Sequence, residues 1–250
     1  MIWHVARREL RVRLGTPWPW VVAATWLALQ GLVFTLVLGV FVRAPLDAPD
    51  PTEAIPLISG YVEPLFSANC ILLLLFVPLL TMGSLAGEQR SGSIALLLSA
   101  PISTLEVVLG KWLGLVAFVS LLLALGAVVP VGALLVFGSP PLGPLVSAAV
   151  GLWLLAGGLA ALGLLASSLS SSQLVAAVMT WTTAMGSWLV AAAESGDGLL
   201  ATVAVYGSLL VHARGFGQGL LDPADVAWFV GFGFVALVAA WQRLESWRWR

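Results

Sequence analysis

The sequence predicts an all-α membrane protein with six transmembrane helices, and three observations lead there. Hydrophobic residues make up 60% of the chain and charged residues 9%, with a mean hydropathy of +1.03, far outside the soluble globular range. Six apolar runs, each near the roughly 20 residues that a bilayer requires, cover 21–42, 65–86, 112–137, 142–166, 174–193 and 224–241, and apart from Asp225 at the edge of the last they hold no Asp, Glu, Lys, Arg or His. With both chain ends in the cytoplasm, Arg7, Arg8, Arg11, Arg13, Arg90, Lys111, Arg243, Arg248 and Arg250 lie inside and only Arg43 and Arg214 outside. Asp47, Asp50, Glu53, Glu63, Glu194, Asp197, Asp222 and Asp225 fall outside, so the charges satisfy the positive-inside rule.

Taken in order, residues 1–14 place Trp3, Ala6, Leu10 and Leu14 on one side of a helix and His4, Arg8 and Arg11 largely on another. That pattern suits an interfacial helix, with Arg7 and Arg13 snorkelling toward anionic lipid. Thr16, Pro17 and Pro19 turn the chain, and Trp18 and Trp20 mark the headgroup level before the first span. Residues 43–63, rich in proline, read as an external loop. The second span carries Pro78, an expected kink, and Asn69, its most polar interior group. The turn at 138–141 is external, and the serine-rich stretch 167–172 is a cytoplasmic turn.

After the fifth span, residues 194–222 form an external segment. Within it 199–213 is apolar but only about three-quarters of a spanning length, so a short external or re-entrant helix is expected. Gly215, Gly217 and Gly219 read as a bend rather than a nucleotide loop, since no strand precedes them. Asp222 caps the last span, with Pro223 in its first turn and Asp225 near its positive end.

The stretch 87–111, GEQRSGSIALLLSAPISTLEVVLGK, interrupts the apolar pattern. Glu88 and Arg90 follow the second span directly, and Gly92 allows a turn. Residues 93–99 present Ile94, Leu96, Leu97 and Leu98, a helix too short to span and too apolar to sit uncovered in water. Pro101 stops it, and Ser103 with Glu106 forms a capping box that starts the helix running through Lys111. Two readings stand side by side: a cytoplasmic coupling elbow driven by a soluble partner, or an ordinary loop with Leu97 and Leu98 on the bilayer surface.

Several functions are disfavoured. Ion-coupled carriers need ionisable groups inside the membrane, and these spans lack them. Their polar content is mild: Asn69 and Thr81 on the second span, Thr180, Thr183 and Ser187 on the fifth. These line a pathway or dimer seam, or else bond back to their own helices. The single Cys70 excludes an intrachain disulfide and a cysteine-based metal site. His4 and His212 lie near opposite faces and do not share a metal. No catalytic residue, bound cofactor or cleavable signal peptide is expected.

Residues 77–111, VPLLTMGSLAGEQRSGSIALLLSAPISTLEVVLGK, resemble the signature of type-2 ABC transporter permeases, particularly the gliding-motility and copper-enzyme-maturation branch. Pro78, Thr81, Met82, Glu88, Arg90, Gly92, Pro101, Gly110 and Lys111 carry the match, supported by 7–21, by 162–178, and by the stretch from His212 through Gly219 to Asp222. The chain departs from the pattern at 87–89, Gly-Glu-Gln, where the family often has Ala and two acids.

The resemblance implies one permease domain over 1–250, paired with a second copy or a related permease, on two cytoplasmic ABC ATPase subunits. ATP and Mg would belong to those subunits, because this chain has no Walker motif. By the same resemblance 93–99 is the coupling helix, and Glu88, Arg90 and Gly92 are its elbow. The chain would not itself be an enzyme, and its place would be a bacterial or archaeal cell membrane, with an external accessory protein as a further partner. Two other readings remain: an ATP-driven assembly module acting on an external protein, and a cofactor-free membrane anchor of an enzyme complex.

Overall fold

In the computed structural model, which describes residues 1–47, 57–92, 102–137, 142–190 and 206–248, the described residues are helical and turn segments with no strand. The helices are α1 (Ile2–Gly15), α2 (Pro17–Asp47), α3 (Glu63–Thr81), α4 (Ala86–Arg90), α5 (Thr104–Phe137), α6 (Leu142–Leu169), α7 (Gln173–Val190), α8 (Leu209–Gly217) and α9 (Pro223–Arg248). Among the described residues five stretches are long and apolar enough to cross a membrane: Pro17–Arg43, Ile58–Arg90, Thr104–Val136, Leu142–Leu169 and Pro223–Trp247.

The helices outrun the apolar runs. The first extends through Asp47, and the chain from Leu57 is helical with a π-turn over Ile58–Val62, so the described parts of the expected loop 43–63 are helix. The third begins at Thr104 rather than 112, because the predicted capping box is present: Ser103 Oγ accepts from the Glu106 amide at 3.2 Å, and Glu106 Oε2 accepts from the Ser103 amide at 3.2 Å. Asp222 Oδ1 likewise accepts from the Ala224 amide at 2.8 Å at the start of α9. Expected residues 191–193 of the fifth run, 199–205 of the short helix and 138–141 lie outside the described residues. The short helix itself begins at Leu209, capped by Ser208, and contains Gly215 and Gly217; only Gly219, with φ +86°, makes the bend.

α6 is the hub, packing on α3, α5, α7, α8 and α9. Its sequence explains this, because Gly151, Gly158 and Gly163 offer no side chain where neighbours arrive. A Cβ at Gly158 would stand 3.2 Å from Phe232, and Cβ atoms at Gly151 and Gly163 would collide with Phe216 and Thr81. Close backbone approach through small residues is a principal means of packing helices where lipid offers no hydrophobic drive.

The same device seats α1. Gly110 and Gly114, one turn apart on α5, face Val5 and Glu9; Cβ atoms there would lie 2.5 Å from Val5 Cβ and 2.8 Å from Glu9 Cβ. Thus α1 lies against α5 on Val5, Ala6 and Glu9. Trp3, His4, Arg7, Arg8 and Arg11 face outward. At its end, Trp20 Nε1 donates to Leu14 O at 2.8 Å, satisfying a carbonyl that the helix leaves open.

Two ends of the bundle are distinguishable. The elbow end gathers α1, α4, the start of α5 and the ends of α6 and α9. Met1 pairs with Glu106 there, and Thr104 Oγ1 donates to Glu245 while accepting from Trp241 Nε1. At the far end, His212 Nδ1 lies 2.7 Å from Asp225 Oδ1, and its ring stacks on Trp228. α7 joins the two: Gln173 packs beside Gly83 and Gly87, and Ser187 Oγ accepts from the Leu209 amide and donates to Gly207 O, each at 3.0 Å.

Gly114→Leu should overfill the α1–α5 contact. The expected result is a loss of about 1–3 kcal/mol of stability, read as a lower thermal midpoint in detergent, with the 1–15 arm opened to protease.

Candidate functional site at the elbow

α3 does not run straight into the elbow. It ends at Thr81, three residues beyond Pro78, and the chain passes through a turn at 82–85 into α4. Pro78 itself stays inside α3, its missing amide affecting only the turn before it, and the helix gives way four residues later at the turn holding Gly83 and Ser84. Pro78 O then accepts from both the Met82 amide at 3.0 Å and Thr81 Oγ1 at 3.1 Å.

A break buried among helices exposes backbone groups, and α6 satisfies them. Ser167 Oγ accepts from the Leu85 and Ala86 amides at 3.0 and 2.9 Å and donates to Met82 O at 3.0 Å. One fully buried hydroxyl therefore closes three open groups. Gln89 adds to this joint, its Nε2 donating to Ser167 O at 3.3 Å and Ser168 O at 3.2 Å. A carboxylate in that position has no proton to give and would face carbonyls at the negative end of α6. The departure at Gln89 is thus accounted for by its partner.

Charge completes the site. Glu9 and Arg13 from α1, Glu88 from α4 and Lys111 from α5 meet behind the elbow. Lys111 Nζ lies 2.7 Å from Glu88 Oε1 and 3.4 Å from Glu9 Oε2; Arg13 Nη2 lies 2.9 Å from Glu9 Oε1. Arg13 also donates to Leu80 O at 2.8 Å, in the last turn of α3, and to Ser84 Oγ at 2.9 Å, inside the break. Arg13 is only 8% exposed and Lys111 only 4%. The expected snorkelling of Arg13 is therefore corrected: its guanidinium turns inward because α1 is held on α5.

Burial acts to raise the Glu9 carboxyl, but Lys111 and Arg13 together outweigh it and hold the group below its ordinary 4.5. Burial pulls the Arg13 guanidinium below its usual value, with Glu9 opposing.

Of the residues singled out in the sequence, Glu88 lies in this cluster, Arg90 is exposed on α4, and Gly92 takes the left-handed turn at φ +72°. Ile94, Leu96, Leu97, Leu98 and Pro101 lie outside the described residues. The intramembrane polar groups do not converge. Asn69 Nδ2 donates to Leu65 O at 2.8 Å, Thr180 Oγ1 to Ala176 O at 2.8 Å and Thr183 Oγ1 to Met179 O at 2.9 Å, each within its own helix. Thr81 sits at the break, and Ser187 ties α7 to α8. Sequence reading missed Glu9, Ser167 and Gln89; the i, i+4 spacing of Glu9 and Arg13 was the one visible sign.

A family model described as ABC-2 family transporter protein matches residues 3–204. The chain belongs to the ABC-2 transporter family. It is accordingly a multi-pass membrane permease subunit of an ABC transporter. The matched span takes in the whole α1–α4–α5 charge cluster and the Ser167 joint. A comparison with curated proteins gives no match.

Lys111→Met leaves Glu88 without its cation and Glu9 with Arg13 alone. It should cost about 3–5 kcal/mol, as removal of one member of a buried pair does. Adding Glu88→Gln should recover part of that loss in thermal stability. The depressed Glu9 carboxyl gives the sign of the pH dependence. Its contribution is complete above pH 4.5 and falls away as acid brings the medium through the lower folded value. A thermal midpoint followed downward from neutrality should drop below pH 4.5, and Glu9→Gln should flatten that part of the profile.

Proposed function

We propose that this ABC-2 permease couples ATP hydrolysis by separate cytoplasmic ABC ATPase subunits to export, or to movement across the membrane. Residues 93–99 dock in the ATPase, with Glu88, Arg90 and Gly92 as the elbow and Pro101 ending the docking helix. The observation that carries this reading is the joining of the elbow to three membrane helices: to α5 through Lys111, to α6 through Ser167, and to α3 across the Thr81 break. A push on the elbow reaches all three without slack.

Six traverses fit this reading better than five. α6 ends at the elbow and α9 starts at the far end, so α7 must carry the chain between them. Its 18 residues give about 27 Å at ~1.5 Å per residue, close to the ~30 Å hydrocarbon thickness. With six spans both termini lie at the elbow end, and the positive-inside rule applied to the basic residues there supports a cytoplasmic side for that end. α8 is then a short external helix. Asn69, Thr81, Thr180, Thr183 and Ser187 remain candidates for the pathway or dimer seam. ATP and Mg belong to the partner. We assign the complex to the cell membrane of a bacterium or archaeon, with a second permease copy or a relative beside it, in the gliding-motility and copper-enzyme-maturation branch.

Leu97→Asp tests the coupling. In the reconstituted complex it should reduce ATPase co-purification and permease-dependent ATP hydrolysis at least about tenfold, or ~1.4 kcal/mol, with membrane insertion unchanged. Full coupled activity in that variant contradicts the proposal.

A further inference from the structure

Away from the elbow, a cavity of about 250 Å³ lies between α2, the π-turn, α3, α5 and α6. Leu65, Phe66, Leu134, Leu145 and Leu152 form much of its wall, and no ionisable acid or base lines it except the Tyr61 phenol. Gln30 stands on this wall at the middle of the Pro17–Arg43 stretch, 5% exposed. Its Oε1 is buried and has no hydrogen-bond partner.

The other polar side chains of the wall each already hold a protein partner. Tyr61 OH donates to Pro130 O at 2.8 Å, and Asn69 Nδ2 donates to Leu65 O. Ser120 Oγ donates to Val116 O at 2.7 Å and accepts from Trp153 Nε1 at 3.0 Å. Among these wall residues Gln30 is the one with a fully buried polar atom left unpaired, and an amide at that depth is costly unless something pairs with it. Water is a poor occupant, because it needs two to four polar partners in a cavity whose wall is apolar.

We propose that this cavity binds an uncharged long-chain molecule with one small hydrogen-bonding head, of the long-chain alcohol or amide class, whose head pairs with Gln30. A half-turn of the amide presents either its oxygen or its NH₂ to the head, so a group that both donates and accepts is matched. A phosphate-bearing lipid is disfavoured, because the wall offers no cation to pair with its charge. This goes beyond the coupling reading and does not need it, since binding requires neither nucleotide nor ATPase.

The test uses the full chain in phosphatidylcholine nanodiscs and a diazirine-bearing hexadecanol, with cross-linked peptides mapped by mass spectrometry. Labelling at the wall of the cavity should saturate and be displaced by unlabelled hexadecanol but not by palmitate. It should fall at least tenfold at sub-saturating probe in Gln30→Leu and vanish in Ala124→Phe, which fills the space. If Ala124→Phe does not fold, Gln30→Leu and the competition pair decide alone. Labelling that never saturates and falls equally on the outward-facing Val128 and Phe234 overturns the proposal, as does equal displacement by palmitate.

Discussion

Two acids and two bases leave water together at the elbow end, and the rest of the structure depends on their staying together. Buried singly, any of them carries a desolvation penalty of several kcal/mol; as a group they form a neutral cluster with contacts at 2.7–3.4 Å. Their effect is mainly geometrical. Glu9 and Arg13 come from α1, Glu88 from α4 and Lys111 from α5, so the cluster exists only when these three elements are in register. Arg13 extends the hold to Leu80 in the last turn of α3 and to Ser84 inside the helix break. A hydrophobic patch is non-directional and tolerates sliding, whereas a charge cluster of this kind does not.

The glycine seat makes the cluster reachable. Glu9 can approach Lys111 because Gly110 and Gly114 let α1 lie directly on α5. α6 shows the same economy on a larger scale. Gly163 admits Thr81 at the break, and Ser167, four residues on and so on the same face, satisfies the backbone that the break exposes. The helix break at 82–85 is thereby turned into a defined joint. The joint is polar at its centre and packed by small residues around it.

Much of the fold was legible. Apolar length and the absence of internal charge located the helices, and the capping box at Ser103 and Glu106 and the cap at Asp222 marked two starts. Ends were less legible, since α2, α5 and α9 carry their helical geometry past the apolar run into polar sequence such as residues 43–47, 104–111 and 242–248. Hydropathy reports the membrane's thickness, not where backbone hydrogen bonding stops. The site was half legible. Glu88 and Lys111 stood out as charges beside apolar runs, but their pairing with Glu9 and Arg13 depends on how α1 packs, which no local pattern encodes. The roles of Ser167 and Gln89 were hidden for the same reason: serine and glutamine in a turn look alike whether they face solvent or a broken helix.

The most direct test is a pulsed electron-resonance distance between spin labels at Arg8→Cys on α1 and Arg90→Cys on α4, in a Cys70→Ser background, both sites being exposed. Measured in the assembled complex with and without ATP, the account predicts one narrow distance that does not change with nucleotide and that broadens when Lys111→Met is added. A broad distribution in the chain with Lys111 intact, or a nucleotide-dependent shift between these labels, contradicts it.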